Sequence, residues 1–225
     1  MSRKEKITKI ILIALIAVLA VALETIWTLN IENLGLYRAL IKAAIGLSSI
    51  GISLFSLIRL KTPYAIILTI ILSLFMIADV SINFSFAAGG GIFALGHLIL
   101  LVYFLRRNKL KVRNFIVTGI TYAVFLVIIL VLNRSNIYLM IALMVYALLI
   151  SFLLSSTLNE NPWIRIGVLV FVISDALLMI NIGINSNLIL GHFARGVYYL
   201  SVVLLSITHK EENDFATKKK ETISE

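Results

Sequence analysis

The sequence predicts an all-α fold, a polytopic membrane bundle of eight transmembrane helices, and three observations lead there. Of the 225 residues, 60% are hydrophobic and only 14% charged, where a soluble domain carries about 25% charged residues; the mean hydropathy is +1.04. The apolar residues fall into runs of about 20, the length a helix needs to cross the hydrocarbon core. The basic residues cluster between those runs, in SRKEKITK at the start, in RRNKLKVR at 106–113 and in the KKK of the tail.

Taken in order, the first run covers 8–29. It resembles a secretory leader, but it exceeds the usual apolar stretch of about 7–15 residues and continues to Trp27 without a convincing cleavage site, so it is read as a retained helix. The second run is 36–58, the third 63–86 and the fourth 90–106, with the GGG at 89–91 read as a turn before the last of these. The fifth is 114–132, the sixth 136–157, the seventh 164–185 and the eighth 188–208. Pro63 and Pro162 stand ahead of the third and seventh runs, where a missing N–H does least harm. Short connections make consecutive helices antiparallel neighbours. Residues 1–208 then form one membrane domain, and 209–225, mixed in charge, a disordered cytoplasmic tail.

Orientation follows from the basic residues. With the N-terminus in the cytoplasm, the inner segments hold sixteen Lys and Arg and the outer loops only Arg38 and Arg134. That asymmetry places both termini inside. It also accounts for the net charge of +9 without nucleic acid as a partner. No cysteine is present, which excludes disulfides, thiolate metal sites and a thiol nucleophile.

Against this apolar background two aspartates stand out, Asp79 in LSLFMIADVSINF and Asp175 in VLVFVISDALLMINIG. A carboxylate near mid-bilayer costs roughly 2.5–3.5 kcal/mol on insertion scales, so intramembrane acids usually mark function. By depth, Glu24, Asp79, Asn83, Asp175 and Asn181 fall between mid-membrane and the outer side, and Lys42, His97, His192 and Arg195 near the outer starts of their helices. One polar chamber in the outer half is the expectation. Asp79 is followed by His97 after 18 residues and Tyr103 after 24; Asp175 is followed by His192 after 17 and Tyr199 after 24. This pattern points to a parallel repeat of helices 1–4 and 5–8, with a site at the repeat interface.

Asp79 and Asn83 are four apart and are expected to share a helix face, as are His192, Arg195 and Tyr199. Each aspartate serves either as a catalytic group or as a polar contact between helices. Lys42 and Arg195 either bind an anionic substrate or neutralise the acids and reach for head groups, and His97 and His192 are catalytic or structural. Three acids, Glu24, Asp79 and Asp175, face two bases, which leaves one carboxyl to stay protonated beside an ionised one, the pairing that acid/base hydrolysis uses. The chain has no phosphate-cradling glycine loop, no HExxH and no GxSxG. Ser174 lacks a histidine partner in sequence.

At these residues the chain resembles the YhhN/TMEM86 family of eight-span membrane proteins, which includes lysoplasmalogenases. Gly167, Phe171, Ser174, Asp175 and Leu178 follow the family's Gly-x-x-x-Phe-x-x-Ser-Asp-x-x-Leu segment. Asp79, Phe86, Gly89, Phe93 and His97 follow its third- and fourth-helix order; Lys42 matches the second-helix lysine, and Tyr198 and Tyr199 the closing tyrosine pair. Ala43, Ala78, Leu100 and Val202 depart from the pattern, as in a divergent member. The resemblance implies hydrolysis of the vinyl-ether bond of a lysoplasmalogen, with Asp79 and Asp175 as the acid/base pair. It implies Lys42, Asn83, His97, Ser174, Arg195 and Tyr199 around the substrate. The expected partners are the membrane and a lysophospholipid with an alkenyl chain, with no metal or organic cofactor. A proton-coupled transporter using the same carboxylates is the other reading, and a polar cluster that only locks helix packing is a third.

Overall fold

The computed structural model describes residues 3–28, 35–132, 137–184 and 187–208. The expected tail, 209–225, lies outside the described residues. The described residues form eight α-helices and no strand: α1 (Arg3–Thr28), α2 (Gly35–Leu60), α3 (Pro63–Ser81), α4 (Phe86–Arg107), α5 (Val112–Leu132), α6 (Ile137–Ser156), α7 (Pro162–Gly183) and α8 (Leu188–Ile207). A short 3-10 turn, Thr157–Asn159, follows α6. All eight helices are long and apolar enough to cross a membrane. Large side chains such as Val112 and Ile58 are 76% and 72% exposed. Such a surface suits lipid, where backbone groups must be paired within each helix. The protein is an integral membrane protein.

Local chemistry sets the helix ends. Pro63 and Pro162 occupy the first turns of α3 and α7. Just before them, the Thr62 hydroxyl accepts from the Ala65 N–H at 3.2 Å, and the Asn161 Oδ1 from the Trp163 N–H at 2.8 Å. Asn187 caps α8 in the same way through the Leu190 N–H, at 3.0 Å. Each cap satisfies a donor that the first turn leaves without an intrahelical partner.

Two sequence expectations need correction. Asn83 is not on α3, which ends at Ser81; its amide donates to the carbonyls of Asp79 and Val80 at 2.8 and 3.0 Å and closes the helix from the turn beyond it. The glycines at 89–91 are not a turn but lie in the first turns of α4. The turn comes earlier, at Ile82–Phe84, and Ser85 Oγ accepts from the Ala88 N–H at 3.3 Å as α4 begins. Gly89 is needed there, because a Cβ at that position would stand 2.8 Å from the backbone of Ile82.

By contacts the described residues divide into two units, those up to 96 together with 202–208, and those from 97 to 201. In the first, α1 packs on α2 and α2 on α3, around Leu23, Ile45, Ile52, Leu68 and Phe75, all 2% exposed or less. Small and hydroxyl residues let α2 and α3 approach: Ser53 and Thr69 exchange a hydrogen bond at 2.7 Å, and Gly46 leaves room for Met76. Helix packing without a hydrophobic driving force relies on such contacts. In the second unit α5, α6 and α7 pack pairwise around Phe104, Phe125, Ile129, Ile150 and Ile164. A polar layer joins its connecting segments. Glu160, buried, accepts from Asn108 and pairs with Arg107 at 3.4 Å. Arg113 donates to Asn159, and Thr118 to Ser155 at 2.8 Å.

The residues of the expected repeat do not share one local setting. α3 ends two residues after Asp79, whereas α7 continues eight residues past Asp175. His97 is buried and His192 half-buried. The repeat remains a feature of the sequence pattern.

Candidate functional site

In the second unit, α7 carries Phe171, Ser174 and Asp175, all buried. Asp175 is 7% exposed. Its Oδ2 accepts a hydrogen bond from the Tyr146 hydroxyl of α6 at 2.9 Å. The same hydroxyl lies 3.4 Å from Nδ1 of His97 on α4. The His97 ring, 1% exposed, stands edge-on to Tyr146 and to Phe171, with centroids 5.7 and 4.6 Å away. Phe171 in turn meets Tyr198 edge-on at 5.4 Å, and Tyr198 lies beside Tyr199. Phe171 and Asp175 are one helical turn apart on α7, so the ring that packs His97 and the carboxyl that receives Tyr146 share a face. The result is a polar thread through aromatic packing, running from α4 to α6 to α7.

The motif over Gly167–Leu178 therefore has a structural meaning: it supplies both the ring and the carboxyl of this cluster. The family model of the YhhN family matches residues 5–208. The chain belongs to the YhhN family. This family member gives no match among curated proteins or solved structures.

Towards the start of α8, Arg195 Nη2 and His192 Nδ1 are 3.0 Å apart. Gly191 leaves room for this arrangement, since a Cβ there would lie 3.2 Å from Asn181 Nδ2 and 3.3 Å from Arg195 Nη1 and crowd both. The Arg195 guanidinium, which donates to His192 Nδ1, and the amide of Asn181 thus gather over Gly191. Guanidinium and amide donors so grouped suit an anion such as a phosphate. Of the face expected for α8, His192 and Arg195 meet; Tyr199 is buried beside Tyr198.

In the first unit, Asp79 on α3 is 9% exposed and Lys42 on α2 is 6% exposed. The two helices are antiparallel and touch where Gly46 faces Met76. Lys42 is one turn before Gly46 and Asp79 is three residues after Met76, so the amine-bearing and carboxyl-bearing residues stand at one level on facing sides of the two helices. Asn83 spends its amide on the backbone of α3. Glu24, on α1, is half-buried.

The sequence reading missed Tyr146. α6 is apolar up to Ser151 but for its two tyrosines, and a tyrosine in it reads as packing or as an interfacial residue. One signal could have found it: Tyr146 lies nine residues after Ile137 and ten before Ser156, at the centre of the span. Interfacial tyrosines sit at the ends of spans. A buried hydroxyl at mid-span needs a polar partner.

Proposed function

We propose that this YhhN family member is a membrane-embedded hydrolase that cleaves the vinyl-ether bond of lysoplasmalogen-type lipids by aspartate acid/base catalysis. The observation that carries the reading is the Asp175 carboxyl, buried in a membrane span and held by Tyr146 in a chain that the YhhN family model matches over residues 5–208. The chemistry matches what such a carboxyl can do. A vinyl ether is cleaved when a proton is added to its outer alkene carbon, giving an oxocarbenium ion. Water attacks the cation, loses a proton to a base, and the hemiacetal collapses to a fatty aldehyde and a glycerophospho alcohol. One carboxyl donates the first proton and the other receives the proton from water, so no net proton is consumed. Asp175 and Asp79 fill these roles in the proposal, Asp79 on the strength of the sequence pattern.

Arg195, held against His192 over Gly191, is assigned to the substrate phosphate, with Lys42 as the second cation of the expected set. Asn83, His97, Ser174 and Tyr199 complete the residues assigned to the substrate or its surroundings. Both termini are assigned to the cytoplasm from the distribution of Lys and Arg. The alkenyl chain of the substrate then stays in lipid throughout the reaction.

The test is aldehyde release from a 1-alkenyl lysophospholipid by purified protein in nanodiscs, beside Asp175→Asn and Asp79→Asn. Release by the wild type, lost in both folded variants, supports the reading. Folded wild type that releases nothing overturns it, and proton-gradient-dependent uptake into proteoliposomes would then favour a carrier.

A further inference from the structure

We infer that Tyr146 is a positioning residue that decides which oxygen of Asp175 gives up a proton, and that His97 acts on Asp175 only through Tyr146. The inference rests on the hydrolase reading for its chemistry and on the hydrogen-bond geometry for its direction. A tyrosine hydroxyl has one proton to give. At 2.9 Å that proton goes to Oδ2 of Asp175. The contact between the same hydroxyl and His97, 3.4 Å from Nδ1, is then a hydrogen bond in one direction alone, with Nδ1–H as donor. The thread therefore reads His97 Nδ1–H to Tyr146 Oη, and Tyr146 O–H to Asp175 Oδ2. With Oδ2 occupied as an acceptor, a proton carried by the carboxyl sits on Oδ1, and that oxygen is assigned to the alkene on this inference.

Packing keeps the thread in this order. The His97 ring is clamped edge-on between Tyr146 and Phe171, and Phe171 is one turn from Asp175 on the same helix. Rotation of the imidazole would have to displace both rings. His97 is thus two hydrogen bonds from the carboxyl and, on this inference, orients it without touching substrate.

The experiment uses the full chain in nanodiscs with two readouts: kcat and KM for aldehyde release, and the infrared band of the Asp175 carboxyl, identified by its loss in Asp175→Asn. Tyr146→Phe keeps the ring and removes the hydroxyl. The expected result is a fall in kcat of roughly 10- to 100-fold, the worth of a hydrogen bond to the carboxylate that forms as the proton leaves, with KM within about twofold and a shifted Asp175 band. His97→Asn keeps an N–H donor near the Nδ1 position and is expected to be about tenfold more active than His97→Leu. The pair Tyr146→Phe and His97→Leu together should be no slower than Tyr146→Phe alone, as for residues that act through one contact. If Tyr146→Phe does not fold, 3,5-difluorotyrosine at position 146 preserves the shape and still moves the band.

Wild-type kcat with an unmoved band in Tyr146→Phe overturns the inference, as does a double variant whose losses simply multiply. Should the wild type release no aldehyde at all, the hydrolase reading falls, and the infrared band alone decides the hydrogen-bond thread. A moved band then supports it and an unmoved one overturns it.

Discussion

Asp175 lies inside a span where charge is costly, and the hydrogen bond from Tyr146 offsets part of that cost. Asparagine has nearly the same shape but no acidic proton. Asp175→Asn is therefore expected to keep the fold and lower aldehyde release by about 10²- to 10⁴-fold, the usual range for a lost general acid or base. Asp79→Asn should do the same, and melting curves recorded with the kinetics separate lost chemistry from lost stability. Both aspartates were legible because a carboxyl in an apolar run is a rare event. Tyr146 was not, because tyrosine is common at membrane boundaries and sequence alone does not say what its hydroxyl meets. Asn83 misled for a related reason. Its spacing from Asp79 fits a shared helix face, but a short amide side chain also competes for backbone carbonyls at a helix end, and here the backbone won.

The α3–α4 junction shows how helices are punctuated in this chain. Three glycines in a row read as a turn, yet Asn83 and Ser85 carry the turn chemistry and the glycines fall inside α4. The three should respond differently to alanine. At Gly89 a Cβ would stand 2.8 Å from the Ile82 backbone, so Gly89→Ala is expected to lose about 1–3 kcal/mol of stability by overpacking. At Gly90 and Gly91 a Cβ would meet nothing within 4 Å, and alanine there should gain up to about 1 kcal/mol from helix propensity. Thermal melts of the three variants in one detergent check both signs. Between α6 and α7, buried Glu160 ties Arg107 and Asn108 to the connecting segment. Glu160→Ala removes the carboxylate that Arg107 and Asn108 share and is expected to cost about 1–3 kcal/mol, read as a lower melting temperature with little change in KM.

Across the whole molecule the apolar surface and the basic segments act together. Exposed Leu, Ile and Val side chains make the protein a solute for lipid, and the proposed orientation follows the Lys and Arg distribution. The chain has no cysteine, so single-cysteine labelling reads orientation without background. Leu110→Cys, in the basic segment after α4, should react with a membrane-impermeant maleimide only from the cytoplasmic side. Tyr37→Cys, exposed near the start of α2, should react only from the opposite side. Labelling from the swapped sides would reverse the proposed orientation, and equal labelling of both from one side would overturn it.

By itself the sequence determined the eight spans and the membrane setting, because both rest on composition and periodicity that a short window of chain contains, while the family rests on residues matched along most of the chain. It also singled out Asp79 and Asp175, since burial of a charge in apolar sequence announces itself. Only tertiary structure decided what meets Asp175 and what gathers at Arg195: that Tyr146 of α6 reaches Asp175, that His97 lies behind it, and that Arg195 and Asn181 draw together over Gly191. Residues 29 apart in the chain, as Tyr146 and Asp175 are, become neighbours through helix packing, and packing is settled by how side chains of different helices fit, which no local pattern encodes.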